Sequence, residues 1–142
     1  MTELTLGPLI QGSNLFAELP DEFVDTLAAH AKARQLRQDE VLFRTGDRAH
    51  CFYLITSGRV VVEVAAIEGP ALPLQDLGPG SVLGWSWIIP PNRWAFQARA
   101  EEPTELIEFD GDAVLAECEA NPRFGYLLMK RFASLMSERL HH

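Results

Sequence analysis

The sequence predicts a mainly β domain with flanking helices, a double-stranded β-helix of the jelly-roll kind with an N-terminal helix and C-terminal helices. Three observations predict it. Short apolar runs separated by turn residues recur at fairly even spacing from about residue 33 to 110, the pattern of a β-roll. Apolar residues at helical spacing precede this stretch. A longer helical pattern follows it, from about 112 to 140, with apolar residues on two faces. A chain of 142 residues that is 47% hydrophobic has material for one domain, 1–142, with an ordinary core.

The elements follow in order. Asn14 to Ala31 reads as helical, with Leu15, Phe16, Leu19, Phe23, Val24 and Leu27 recurring at helical spacing and a restart at Pro20-Asp21. His30, at its end, is expected to meet the helix dipole. Leu36 and then Val41-Leu42-Phe43 lead to the turn Thr45-Gly46-Asp47. Phe52-Tyr53-Leu54-Ile55 runs to Ser57-Gly58, and Val60 to Val64 runs to the loop Glu68-Gly69-Pro70. Leu72 to Leu77 ends at Gly78-Pro79-Gly80. Ala95 to Ala100 and Glu105 to Phe109 complete the strands.

Asp112 to Glu119 is expected to be a short helix with Asp112 as its N-cap. Asn121-Pro122 opens the last helix with proline at its first position. On it Phe124, Leu128, Phe132 and Leu135 form one apolar stripe. Tyr126, Met129, Ala133, Met136 and Leu140 form another. A helix apolar on two faces needs two partners. One is the roll; the other is expected to be the same helix, Phe124 to Leu140, of a second copy in a symmetric homodimer, with a following domain as the alternative.

Composition excludes several functions. A net charge of −8 and the lack of any Lys/Arg-rich run argue against nucleic-acid binding by this chain alone. No apolar run is long enough to span a bilayer. Met1 to Asn14 has no basic start and no long apolar stretch, so it does not read as a signal peptide, and a cytoplasmic location is expected. Cys51 and Cys118, with no CxxC, read as buried or half-buried thiols. Of the four histidines only His50 lies among strands, too few for a metal site in a roll. His141 and His142 carry no metal role. No nucleophile has a recognisable base, so neither an enzyme nor a cofactor is expected.

The densest segment is Ser81 to Ala95. It combines a glycine turn at Gly84, a short helix-like piece, a lone arginine, Arg93, and three tryptophans, Trp85, Trp87 and Trp94. Such a segment can build a small anion pocket with a stacking wall. Aromatic residues in a small roll are most often core, and no more than one of the three tryptophans is expected at a ligand.

The ordered motifs resemble the cyclic nucleotide-binding domain family, that of catabolite activator protein and the regulatory chain of protein kinase A. Asn14-Leu15-Phe16-Ala17-Glu18-Leu19 is similar to its opening helix. Asp39 to Asp47 is similar to its strand and Gly-Asp turn, Phe52 to Val60 to its next strand, and Leu77 to Gly84 to the approach to its phosphate-binding cassette. The family's cassette runs Gly-Glu-(Leu/Ile)-Ala and then Arg-x-Ala-(Thr/Ser). The resemblance implies ligand contacts from Leu83, Gly84, Trp85, Ser86, Arg93, Trp94 and Ala95, with cAMP or cGMP as the ligand. In the family, helix N-terminal amides and the arginine hold the phosphate, and ligand binding repositions the C-terminal helices.

The sequence departs from that pattern twice. Trp85 stands where the glutamate accepts from the ribose hydroxyl, and Phe96 stands where Thr or Ser follows. A ligand hydroxyl left unpaired by the first change would cost about 1–3 kcal/mol. Arg99 is the alternative anion ligand. Two functions therefore follow from the resemblance: a ligand-binding regulatory sensor, or a domain that no longer binds cyclic nucleotides and serves dimerisation, protein interaction or another small ligand.

Overall fold

The structure is a computed structural model and describes residues 10, 13, 16–64 and 68–140, without the side chains of 139 and 140. The expectations for Met1 to Asn14, Leu15, the Leu140 side chain, His141 and His142 lie outside the described residues. Eight strands and three helices follow one another in the predicted order among the described residues.

Helix α1 (Asp21–Ala28) starts directly after Pro20, whose carbonyl accepts from the amides of Phe23 at 2.9 Å and Val24 at 3.1 Å. Asp21 and Glu22 occupy its first turn, where the helix dipole favours negative charge. It buries Phe23, Val24, Leu27 and Ala28. Strand β1 (Ala31–Leu36) begins where the sequence still reads as helix, because its backbone pairs with β8 from Ala31 opposite Phe109 onward. The His30 amide donates to the Leu27 carbonyl of α1 at 3.0 Å, while its ring turns to a carboxylate from another part of the chain. Its Nε2 lies 3.0 Å from the Glu117 carboxylate, which is brought close by the fold.

The remaining strands are β2 (Val41–Phe43), β3 (Cys51–Ser57), β4 (Val60–Val64), β5 (Leu72–Leu77), β6 (Val82–Leu83), β7 (Gln97–Ala100) and β8 (Thr104–Asp110). They form two four-stranded antiparallel sheets, ordered β1-β8-β3-β6 and β2-β7-β4-β5. Alternation sorts the side chains between two cores. Tyr53, Ile55 and Leu106 meet Val60, Val62, Leu83, Trp94 and Ala98 between the sheets. Phe52, Leu54, Ile107 and Phe109 turn the other way and pack under the helices. Strand β3 is buried on both faces, which is why it reads as one unbroken apolar run. At Gly58, φ is +93° and a Cβ would stand 2.6 Å from the Pro103 carbonyl oxygen, so only glycine lets β3 turn there.

Helix α2 (Gly111–Ala120) is capped by Asp110, whose Oδ1 accepts from the Ala113 amide at 3.1 Å. Asp112 is therefore not the N-cap. Strand β8 runs straight into the helix, and the Gly111 amide is fixed to the His50 carbonyl at 2.8 Å, which starts the helix early. Helix α3 (Pro122–Leu140) begins at the predicted proline, with Asn121 Oδ1 accepting from the Phe124 amide at 3.4 Å. Its first stripe, Phe124, Leu128 and Phe132, is buried, with Leu135 packed beside it. On the second, Tyr126 is 64% exposed, Ala133 is exposed, and Met129 and Met136 are half-buried. Among the described residues no helix is long and apolar enough to cross a membrane.

Candidate functional site

The cassette segment starts where β6 ends. Gly84 has φ +101°, and a Cβ there would stand 2.6 Å from the Trp94 ring. Glycine is thus required twice, by its conformation and by the indole lying against it. From Trp85 to Asn92 the chain makes turns and not the expected short helix. The Ile88 amide bonds the Trp85 carbonyl at 3.0 Å, and the Asn92 amide bonds the Ile89 carbonyl at 3.0 Å. Asn92, itself at φ +59°, closes the loop: its Nδ2 donates to the carbonyls of Ser86 and Trp87, each at 3.1 Å. Without a helix here, there is no helix N-terminus to aim amides at an anion.

The three tryptophans take three different positions. Trp87 is buried in the helical core. Its indole N–H donates to the Gly84 carbonyl at 3.1 Å, and its ring stacks on Phe52 at 4.6 Å and meets the edge of Phe132 at 5.3 Å. Trp94 is buried between the sheets, stacked on Phe43 at 3.8 Å and 10°. Trp85 is half-buried.

One cleft of about 100 Å³ lies behind this segment. Of the seven predicted contacts, Leu83, Gly84, Trp85, Ser86, Trp94 and Ala95 line it. Two tryptophans, Trp85 and Trp94, are among them. Arg93 does not line it. The Arg93 guanidinium donates to the Gly46 carbonyl at 2.9 Å, because a β-bridge between Arg48 and Arg93 turns its side chain toward the β2–β3 loop. Arg99 is likewise engaged elsewhere. It grips the Glu63 carboxylate with two nitrogens at 3.2 Å and reaches Asp39 at 2.9 Å. Glu63 is 2% exposed. The Arg99 hydrogen bonds hold its carboxyl below the usual carboxylate value, against the opposing effect of burial.

The sequence reading missed Phe43, Val62 and Gln75, which complete the wall together with Phe96. Val62 and Gln75 face one another across β4 and β5. Strand alternation carried that signal, but only once the pairing is known. The polar groups on the wall are Gln75 and Ser86, and no charged side chain lines it. Among the described residues no three His, Cys, Asp or Glu side chains cluster to hold a metal.

Comparison with known proteins bears on the family and the fold. The family model described as cyclic nucleotide-binding domain matches residues 33–121. The chain is 30% identical over 131 residues to the cyclic AMP receptor protein of Thermus thermophilus, covering 92% of this chain and 59% of that protein. The chain therefore spans 59% of that curated relative's length. The crystal structure of Thermus thermophilus catabolite activator protein superposes with a TM-score of 0.75 at 29% identity, over 91% of this chain and 59% of that one. A cyclic nucleotide-binding domain from Methylobacillus flagellatus shares the fold, with a TM-score of 0.81 at 21% identity over 98% of this chain and 78% of that one.

Proposed function

The chain belongs to the cyclic nucleotide-binding domain family, and from that premise we propose that it is a regulatory sensor whose cassette cleft takes a small, uncharged, largely apolar ligand. The observation that carries this reading is the cleft wall, made of rings and aliphatic groups with no charged side chain. On this reading a cyclic phosphate finds no counter-charge on such a wall. Removing an anion from water costs several kcal/mol unless a cation or a set of amides replaces the hydration. Both candidate arginines are committed elsewhere, and an indole stands in place of the ribose-binding carboxylate. The cleft's volume of about 100 Å³ is below the roughly 300 Å³ at which drug-sized ligand sites begin.

The relay has a physical route. Trp87 lies in the cassette loop and also touches Phe132 of α3 at 5.3 Å. A ligand that shifts Trp85 or Ser86 pulls on Trp87 two residues or fewer away, and so on the helix packing. Packed interfaces of this kind tend to switch between discrete arrangements. We place the output in the C-terminal helices, with a second copy of α3 as the partner.

The relationship to the cyclic AMP receptor protein favours a second reading, in which the cleft opens for cAMP or cGMP and Arg93 leaves the Gly46 carbonyl to meet the phosphate. Calorimetric titration of the protein with each nucleotide, beside Arg93→Ala, separates the two. The first reading expects no saturable heat from either nucleotide, while indole, a neutral aromatic probe, shifts the Trp85 and Trp94 ring signals in NMR. Saturable nucleotide binding that disappears in Arg93→Ala would establish the second reading and end the first.

A further inference from the structure

A second cavity, of about 400 Å³, opens among β1, β2, β3 and the β2–β3 loop. Its size falls within the roughly 300–1,000 Å³ of small-molecule sites. The cassette reading does not use it. Its floor is aromatic, built from Phe43, Tyr53 and Trp94. Phe43 stacks on Trp94 at 3.8 Å and on Tyr53 at 6.1 Å.

Its rim carries two arginines and one carboxylate, Asp47. Arg34 comes from β1, and Arg48 and His50 from the loop. Arg93 is bridged to Arg48 through the backbone. Two of the chain's 12 Lys and Arg residues, Arg34 and Arg48, thus line one opening of a molecule with net charge −8. Asp47 shares the wall, and Glu108 and Asp110 act on Cys51, so an anion here depends on direct contact with the two guanidiniums and not on a long-range field.

These cations can be released to a ligand. Arg48 meets Asp112 at 3.3 Å with both side chains more than 60% exposed, and such pairs are weak in water. Arg34 meets Glu108 at 2.6 Å, but Lys32 also holds Glu108 at 3.2 Å. Glu108 therefore keeps a counter-charge when Arg34 turns away. Asp47, the carboxylate on the wall, accepts from the Arg44 amide at 3.2 Å. Burial pushes the Cys51 thiol up to about 11 and raises the Tyr53 phenol further, so the floor adds no negative charge at neutral pH.

We propose that this cavity is a second ligand site, for a small organic anion whose carboxylate or phosphate is held by Arg34 and Arg48 while its apolar body lies against Phe43, Tyr53 and Trp94. Phe43 and Trp94 also line the cassette cleft, so an occupant here presses on the wall of the other site. The proposal does not depend on which ligand the cassette cleft takes.

The test is an NMR titration of the full chain with benzoate, phenyl phosphate and neutral benzamide, followed at the His50 ring. At least one anion is expected to shift His50 saturably, and whichever binds tighter identifies the acidic group. Benzamide is expected to bind at least tenfold more weakly, and Arg48→Ala to weaken the anion roughly tenfold, the loss of one charged hydrogen bond. Arg59→Ala, which removes an arginine from an exposed pair with Asp76, is expected to leave binding unchanged. The proposal is overturned by no saturable shift from any probe, by benzamide binding as well as the anions, or by anion binding that survives loss of both Arg34 and Arg48.

Discussion

Arg99 and Glu63 show how a residue's partner decides its role. By composition Arg99 could serve as an anion ligand, yet it sits opposite Val41 and Val61 in the sheet and turns onto a carboxylate that is 2% exposed. Breaking a buried pair leaves an uncompensated charge and costs about 3–5 kcal/mol. Arg99→Ala is expected near the lower end, about 3 kcal/mol, because its own side chain is 31% exposed. Denaturant unfolding at neutral pH measures it. The same pair sets a pH dependence. The folded-state pKa of Glu63 lies below its unfolded value, so the unfolded chain takes up the proton first. The stabilisation is therefore full above the unfolded carboxylate value and is lost as pH falls toward the lowered one. Glu63→Gln should flatten the acid limb of the stability curve, and an unchanged acid limb would show that the pair contributes nothing there. The sequence could not distinguish a ligand arginine from a structural one, because that depends on Glu63, 36 residues away. For Arg93 the missing information was the Arg48 bridge, which sends the side chain to the other side of its loop.

At the scale of the element, the cassette loop and α3 are in direct contact through Trp87. Its ring fills the space between Phe52 of β3 and Phe132 of α3, and its indole N–H fixes the loop at Gly84. Trp87→Ala removes both contacts and is expected to cost about 3–5 kcal/mol. The distribution of that loss tests the relay more sharply than its size. Hydrogen exchange should rise first in α3 and in the loop around Ser86 to Asn92, while β4 and β5, which Trp87 does not touch, keep their protection. Equal loss across all elements would mean a global effect with no privileged route. The strands were legible in the sequence because β3 and β4 are long β-branched and aromatic runs between glycine turns, and α3 because Phe124, Leu128 and Phe132 repeat at helical spacing. The loop was not legible as turns. Its form depends on Asn92 at positive φ donating to two carbonyls, a bond pattern that leaves no periodic trace. The N-cap of α2 was misplaced for a similar reason, since the His50 carbonyl that starts the helix lies in the β2–β3 loop, far away in the sequence.

For the whole molecule the open question is what covers the outer face of α3. The roll buries Phe124, Leu128 and Phe132, while Tyr126 stays 64% exposed with Lys130 5.7 Å from its ring, and Ala133 is exposed beside half-buried Met129 and Met136. A monomer would leave this stripe in water. Two copies of α3 packed in a symmetric pair would bury it on both sides, because a two-fold interface sets the same patch against itself. Such an arrangement also gives the Trp87 contact a purpose. A shift of α3 against the roll in one copy alters the seam shared with the other, so a cleft of about 100 Å³ could change the spacing of two whole domains. The expected mass in solution by light scattering is twice the chain's 15.8 kDa. Tyr126→Glu places a carboxylate on the face that such a seam would cover, where a charge loses its hydration without a partner. It should give monomers whose thermal unfolding remains cooperative, because Tyr126 makes no contribution to the roll's own core. A wild-type chain that stays monomeric at high concentration would remove the dimer from the mechanism. The relay from cassette to α3 would then have to act on a different partner along the same exposed stripe.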